Sequence, residues 1–103
     1  MPIDLIWRPQ AREDLLDIYV VIGVDDPAAA DRVCDSIDAR ARQLIDHPRL
    51  GPRRSDIRQS LRMLVEGPYL LLYETQPDSD IGTIERVEIV RVIDGRRMLT
   101  TLS

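Results

Sequence analysis

The chain has 103 residues, 44% of them apolar and 31% charged, with a net charge of −4. These proportions fit a soluble globular protein, and the length suits one domain over residues 1–103 with a single small core. No apolar run nears the ~20 residues of a membrane span, and Met1-Pro2-Ile3-Asp4 shows no signal-peptide pattern. The lone cysteine, Cys34, excludes an internal disulfide framework and points to a reducing, cytoplasmic setting.

In chain order, Ile3, Leu5 and Trp7 read as a short strand. Pro9 suits the first position of a helix, where its missing N–H costs nothing. Ala11, Leu15, Ile18 and Ile22 then recur at helical spacing and define one buried face. Glu13, Asp14 and Asp17 lie near the helix start, where the macrodipole favours acids, and Gly23 ends the helix. Asp26-Pro27 reads as an N-cap and first-turn proline for a second helix. Its apolar face is Ala30, Val33, Ile37, Ala41 and Leu44, and it stops at His47-Pro48. A link of about three residues requires an antiparallel helical hairpin.

After Leu50-Gly51-Pro52 comes an arginine-rich loop. Strand patterns follow at 61–65, 69–75 and 84–93. Gly67-Pro68 turns the chain between the first two, and a polar, mobile loop over 77–82 separates the second from the third. The uninterrupted apolar run Tyr69-Leu70-Leu71-Leu72-Tyr73 suits a central strand covered on both faces. Short connections make the three strands antiparallel. Met98, Leu99 and Leu102 fit a short terminal helix or an extended tail. The fold class is α+β: an N-terminal strand, an antiparallel helical hairpin, then a three-stranded antiparallel sheet.

The chemistry narrows quickly. Cys34 and His47 are too few to hold zinc, so no metal and no cofactor is expected. Cys34 reads as a small core residue and His47 as a helix cap. There is no Gly-x-Ser-x-Gly, no Cys–His pair and no P-loop. Tyr73 reads as a core residue whose hydroxyl reaches water, and Trp7 as core or sheet edge. What remains is arginine: the chain has fourteen and no lysine. Residues 1–48 carry ten acids and five arginines, while Arg49, Arg53, Arg54, Arg58 and Arg62 face only Asp56. That surplus suits an anionic partner, or else pairs with the acidic helices of the same chain. Arg62 and Arg91 lie inside strand patterns; on the open face of the sheet they would form a cationic floor.

The element order, together with particular residues, resembles the RelE/ParE toxin superfamily and most of all its ParE-type members. The resemblance is carried by Trp7, Ala11, Asp14-Leu15-x-x-Ile18, Asp26-Pro27-x-Ala29-Ala30 and Leu44-x-x-x-Pro48-x-x-Gly51. Arg62…Tyr69…Tyr73 and Val90-x-Val92-x-x-Gly95-Arg96 complete it. It implies a type II toxin neutralised by a cognate antitoxin, which lays a segment that folds on binding along the sheet and hairpin. ParE-like toxins act on DNA gyrase without a known catalytic set; RelE-like relatives cut messenger RNA on the ribosome. Such cleavage relies on clustered lysine and arginine with a C-terminal tyrosine, and here Met98-Leu99-Thr100-Thr101-Leu102-Ser103 has neither lysine nor tyrosine. The gyrase reading therefore leads, with no catalytic residues and no sequence-specific DNA binding by this chain alone. Arg58, Arg62, Arg91, Arg96 and Arg97 are the candidate contacts to antitoxin or target. A RelE-type endonuclease and an inactive, antitoxin-binding member are the alternatives. Many members have histidine before the last Gly-Arg; here Asp94 stands there.

Overall fold

Strand β1 (Asp4–Trp7) half-buries alternate residues, Leu5 and Trp7, as its pattern requires, and pairs in parallel with the last strand, β4 (Arg86–Asp94), from Asp4↔Arg86 to Trp7↔Ile89. The computed structural model describes residues 2–97. β2 (Arg62–Glu66) and β3 (Tyr69–Gln76) form an antiparallel hairpin, and β3 also pairs antiparallel with β4. The sheet therefore has four strands, in the order β1-β4-β3-β2. The expected three-stranded unit is present, and the N-terminal strand extends it at the β4 edge. Parallel addition at long range leaves no mark in the local pattern, because the partner lies some eighty residues away.

Helix α1 (Pro9–Gly23) starts at the proline and ends at the glycine. Helix α2 (Pro27–Asp46) is capped by Asp26, whose Oδ1 accepts the Ala29 N–H at 3.1 Å. Such caps stabilise by about 1 kcal/mol. Asp38 and Arg42, one turn apart on α2, form an ion pair at 2.8 Å. Ala11 of α1 and Ala30, Ile37, Ala41 and Leu44 of α2 are fully buried. Ala11, Ile37, Ala41 and Leu44 pack on Leu64, Leu71, Tyr73, Val87, Ile89 and Val92 of the sheet.

The other sheet face is covered by the segment between α2 and β2. Ile57 and Leu61 fold over Met63, Leu72, Val90 and Ile93 as a second cluster. β3 is thus sandwiched, and all but its last residue are buried. Gly67 turns the β2–β3 hairpin with φ of 57°, which costs glycine nothing. Between Leu72 and Tyr73 the register slips: Leu72 faces Arg91 but Tyr73 faces Ile89, so Val90 is an extra residue, a bulge just before Arg91. Bulges re-aim the side chains beside them. A 3-10 turn, Gly95–Arg97, follows β4. Met98, Leu99 and Leu102 lie outside the described residues, so the terminal-helix expectation falls there too.

Candidate functional site

The corner where α1 crosses β4 is built around Asp14. β4 runs on past the end of β1, so the Val92 N–H needs another partner. Asp14 Oδ2 accepts it at 3.0 Å. Arg91 grips the same carboxylate with Nε at 2.8 Å and Nη2 at 3.1 Å, and Gln10 adds a fourth hydrogen bond at 3.1 Å. Burial alone would raise the Asp14 carboxyl; the bonds from Arg91, Val92 and Gln10 outweigh it and hold it below the ordinary aspartate value. Asp14 is therefore a clamp between layers rather than a complement to the helix dipole. Just beyond, Gly95 brings its N–H within 2.6 Å of Pro68 O, an approach a Cβ would block at 2.7 Å. Arg96, exposed, folds back on Asp94 with Nε at 2.9 Å and Nη2 at 2.7 Å. The side chain of Arg97 lies outside the described residues.

A second polar group lies on the sheet. Glu74 of β3 accepts Arg8 Nη2 at 2.7 Å and Arg58 Nη2 at 3.0 Å, and a hydrogen bond from the Ser60 hydroxyl. Arg8 also reaches Glu88 of β4 at 3.1 Å. Burial pushes the Glu74 carboxyl up, but Ser60, Arg8 and Arg58 together hold it below its usual value. It stays ionised and is a weak base. Arg58, half-exposed, is the open member of this group.

The third group forms the rim near the end of α2. The Tyr73 hydroxyl is fully buried: it accepts the Gly51 N–H at 2.8 Å and donates to Pro48 O at 3.0 Å. The expectation that it reaches water is thus corrected. The chain must turn at 48–51 to close over the core, and the phenol satisfies the backbone groups freed there. Arg62, with 7% of its side chain exposed, bonds Gly51 O and Asp80. Arg49 holds Ser79 O and Gly82 O, and Arg53 holds Asp78 and Asp80. The loop expected to be mobile is tied down by three arginines.

The arginine surplus is thus engaged inside the chain, though by loop and sheet acids rather than by the helices: Arg54 pairs with Asp56 and Arg58 with Glu74. Arg62 and Arg91 do not form a common cationic floor. Arg62 answers Asp80 and Arg91 answers Asp14. The separate partners were not legible locally, since each acid lies far away in sequence.

A surface of another kind lies between the helices. Trp7, Leu15, Leu16, Tyr19 and Cys34, edged by Arg12 and Asp38, line an open, mainly apolar depression of about 390 Å3. Leu16, Val20 and Val24 continue it as an exposed apolar strip, 60%, 54% and 79% accessible. This stripe was readable: Leu16, Tyr19, Val20 and Val24 recur at helical spacing opposite the buried face. Cys34 is half-buried here; burial raises its thiol pKa, Asp35 and Asp31 add to the effect, and the thiol stays protonated. Among the described residues no cluster of three metal-ligating side chains occurs, and no helix is long and apolar enough to cross a membrane.

Comparison with known proteins agrees with this architecture. The family described as ParE toxin of type II toxin-antitoxin system, parDE, matches residues 5–99. Toxin RelE3 of Caulobacter vibrioides is 39% identical over 75 residues, covering 69% of this chain and 78% of that protein. The solved chromosomal ParDE TA system from P. aeruginosa shares the fold with a TM-score of 0.71 at 20% identity, covering 89% of this chain and 95% of the other. With two helices packed on a four-stranded sheet and a family match over nearly its whole length, the chain belongs to the ParE toxins of type II toxin–antitoxin systems.

Proposed function

We propose that this toxin inhibits DNA gyrase by binding it, acts in the cytoplasm as a single domain over residues 1–103, and has no active site of its own. The observation that carries this reading is the family match over residues 5–99. Glu74 is held ionised by Arg8, Arg58 and Ser60, and the Cys34 thiol is held protonated. General acid–base catalysis works best with a group poised near the working pH, and neither qualifies.

Membership of this family implies an antitoxin protein as partner. Its apolar segment fits the strip Leu16, Val20 and Val24 and the depression beside it, because helix-in-groove recognition uses such spacing. Arg96 and Arg97, with Arg58, are the candidate contacts for the target or for acidic antitoxin residues. Arg91 shares that role only with its outer edge, 38% exposed, and Arg62 only once its acid moves.

A second reading is messenger RNA cleavage. The favouring observation is the name of the 39% identical relative, Toxin RelE3. Inducing the toxin without antitoxin separates the two. The gyrase reading expects arrested DNA synthesis with intact transcripts; cleaved transcripts with continuing DNA synthesis would overturn it.

A further inference from the structure

Three arginines of this chain grip a single carboxylate with two donors, while others divide theirs, as Arg8 does between Glu74 and Glu88. Arg54 holds Asp56 through Nε at 2.9 Å and Nη2 at 2.7 Å, one donor to each carboxylate oxygen. Arg91 and Arg96 use the same side-on fork on Asp14 and Asp94. Arg62 does not. Its Nη2 reaches Asp80 Oδ1 at 2.9 Å, but its Nε is buried and has no hydrogen-bond partner among the described residues. The fork is half filled.

Two guanidinium groups meet on one atom here. Asp80 Oδ1 also accepts Arg53 Nε at 2.9 Å, so a single oxygen serves two guanidinium groups. Arg53 Nη1 must then turn to Asp78 Oδ1 at 2.8 Å. A carboxylate offers two oxygens in a plane, whereas a phosphate offers a tetrahedron of them and suits several converging arginine donors better.

We propose that Arg53 and Arg62 form a phosphate-binding site, which Asp80 and Asp78 fill in the free protein and which a phosphate monoester or diester takes from them. The cations are fixed independently of the acids: Arg62 Nη1 donates to Gly51 O at 3.0 Å and Arg53 Nη1 to Gln59 O at 3.1 Å. The acids sit on the solvent side of the arginines, with 38% of the Asp78 side chain and 71% of the Asp80 side chain exposed, so an incoming anion can reach the site. Arg49 anchors the loop backbone at Ser79 O and Gly82 O, so vacating the site needs only rotation of the two aspartate side chains. Arg62 keeps its charge at ordinary pH, and a buried guanidinium is costly to leave without a partner. The inference rests on this chain's own contacts and is independent of the gyrase reading.

The test is an arginine Nε–H NMR titration of the full chain, with inorganic phosphate in one arm and an unphosphorylated dinucleotide in the other. Sodium chloride at matched ionic strength is the control. The proposal expects saturable shifts of the Arg62 and Arg53 signals, about fivefold tighter in Asp80→Asn, and lost in Arg53→Gln. Circular dichroism establishes that each variant is folded, and Asp78→Asn gives an independent gain should Asp80→Asn fail to fold. Response to the phosphate arm assigns a terminal phosphate and response to the dinucleotide a backbone diester. No saturable shift in folded aspartate variants, a response equalled by chloride, or one unchanged in Arg53→Gln would overturn it.

Discussion

Arg91 and Asp14, 77 residues apart, form a two-point grip that fastens the first helix to the last strand. The same carboxylate satisfies the Val92 N–H, so one acid serves an ion pair and a strand edge together. Asp14→Ala removes both and should cost about 2–3 kcal/mol, below the range for fully buried pairs because Arg91 is partly exposed. Urea denaturation measures it. A loss under 0.5 kcal/mol, the range of an ordinary surface change, would show that the clamp is incidental.

The same pair sets a pH dependence. The folded-state pKa of Asp14 is depressed, so its contribution is complete above the ordinary aspartate value of 3.8 and disappears as pH falls through the lower folded value. Stability of the parent should therefore decline on acidification below about pH 3.8. Asp14→Asn should lack that part of the slope, and a pair of urea titrations at pH 3 and pH 6 reads the difference. Equal slopes would contradict the assignment.

Tyr73 makes a separate point about the rim. Tyr73→Phe leaves the buried Gly51 N–H without its acceptor and should destabilise by about 1–2 kcal/mol. Gly51→Ala should cost about as much or more, since a Cβ there would lie 2.5 Å from Met63 O and 2.9 Å from Tyr73 Cε1. Thermal denaturation of both variants checks the ordering; a neutral Gly51→Ala would mean that the turn yields.

Most of the fold was legible because its signals are local. The Asp26-Pro27 cap, the Gly67 turn and the buried run of β3 each stand where their residues place them. Pairing partners were not legible. Nothing near Ile3, Leu5 and Trp7 says that they dock in parallel on β4, and nothing near Arg62 or Arg91 names Asp80 or Asp14. The bulge at Val90 is a sheet property with no residue signature of its own. The Leu16, Val20 and Val24 stripe was present in the sequence, masked by the stronger buried stripe on the same helix.

That stripe yields a binding prediction. Leu16→Ser with Val20→Ser should change stability by no more than about 0.5 kcal/mol each, because both side chains already face solvent. Antitoxin affinity should fall by at least about 1 kcal/mol per site if they are anchors. Isothermal titration with the cognate antitoxin measures this. Unchanged affinity would place the antitoxin elsewhere.

At the C-terminal end, Arg96→Ala with Arg97→Ala should reduce toxicity while the fold persists. The Arg96–Asp94 pair is exposed on the arginine side and screened by solvent, so losing it should leave the fold intact. Growth after induction, with circular dichroism of the purified variant, decides. Full killing by the double variant would place the target contacts elsewhere.

The most direct measurement is supercoiling of relaxed plasmid by purified gyrase, with trapped DNA cleavage read alongside, as folded toxin and then antitoxin are added. The gyrase account predicts lost supercoiling that the antitoxin restores. Unimpaired supercoiling at saturating, folded toxin would contradict it and turn attention to translation.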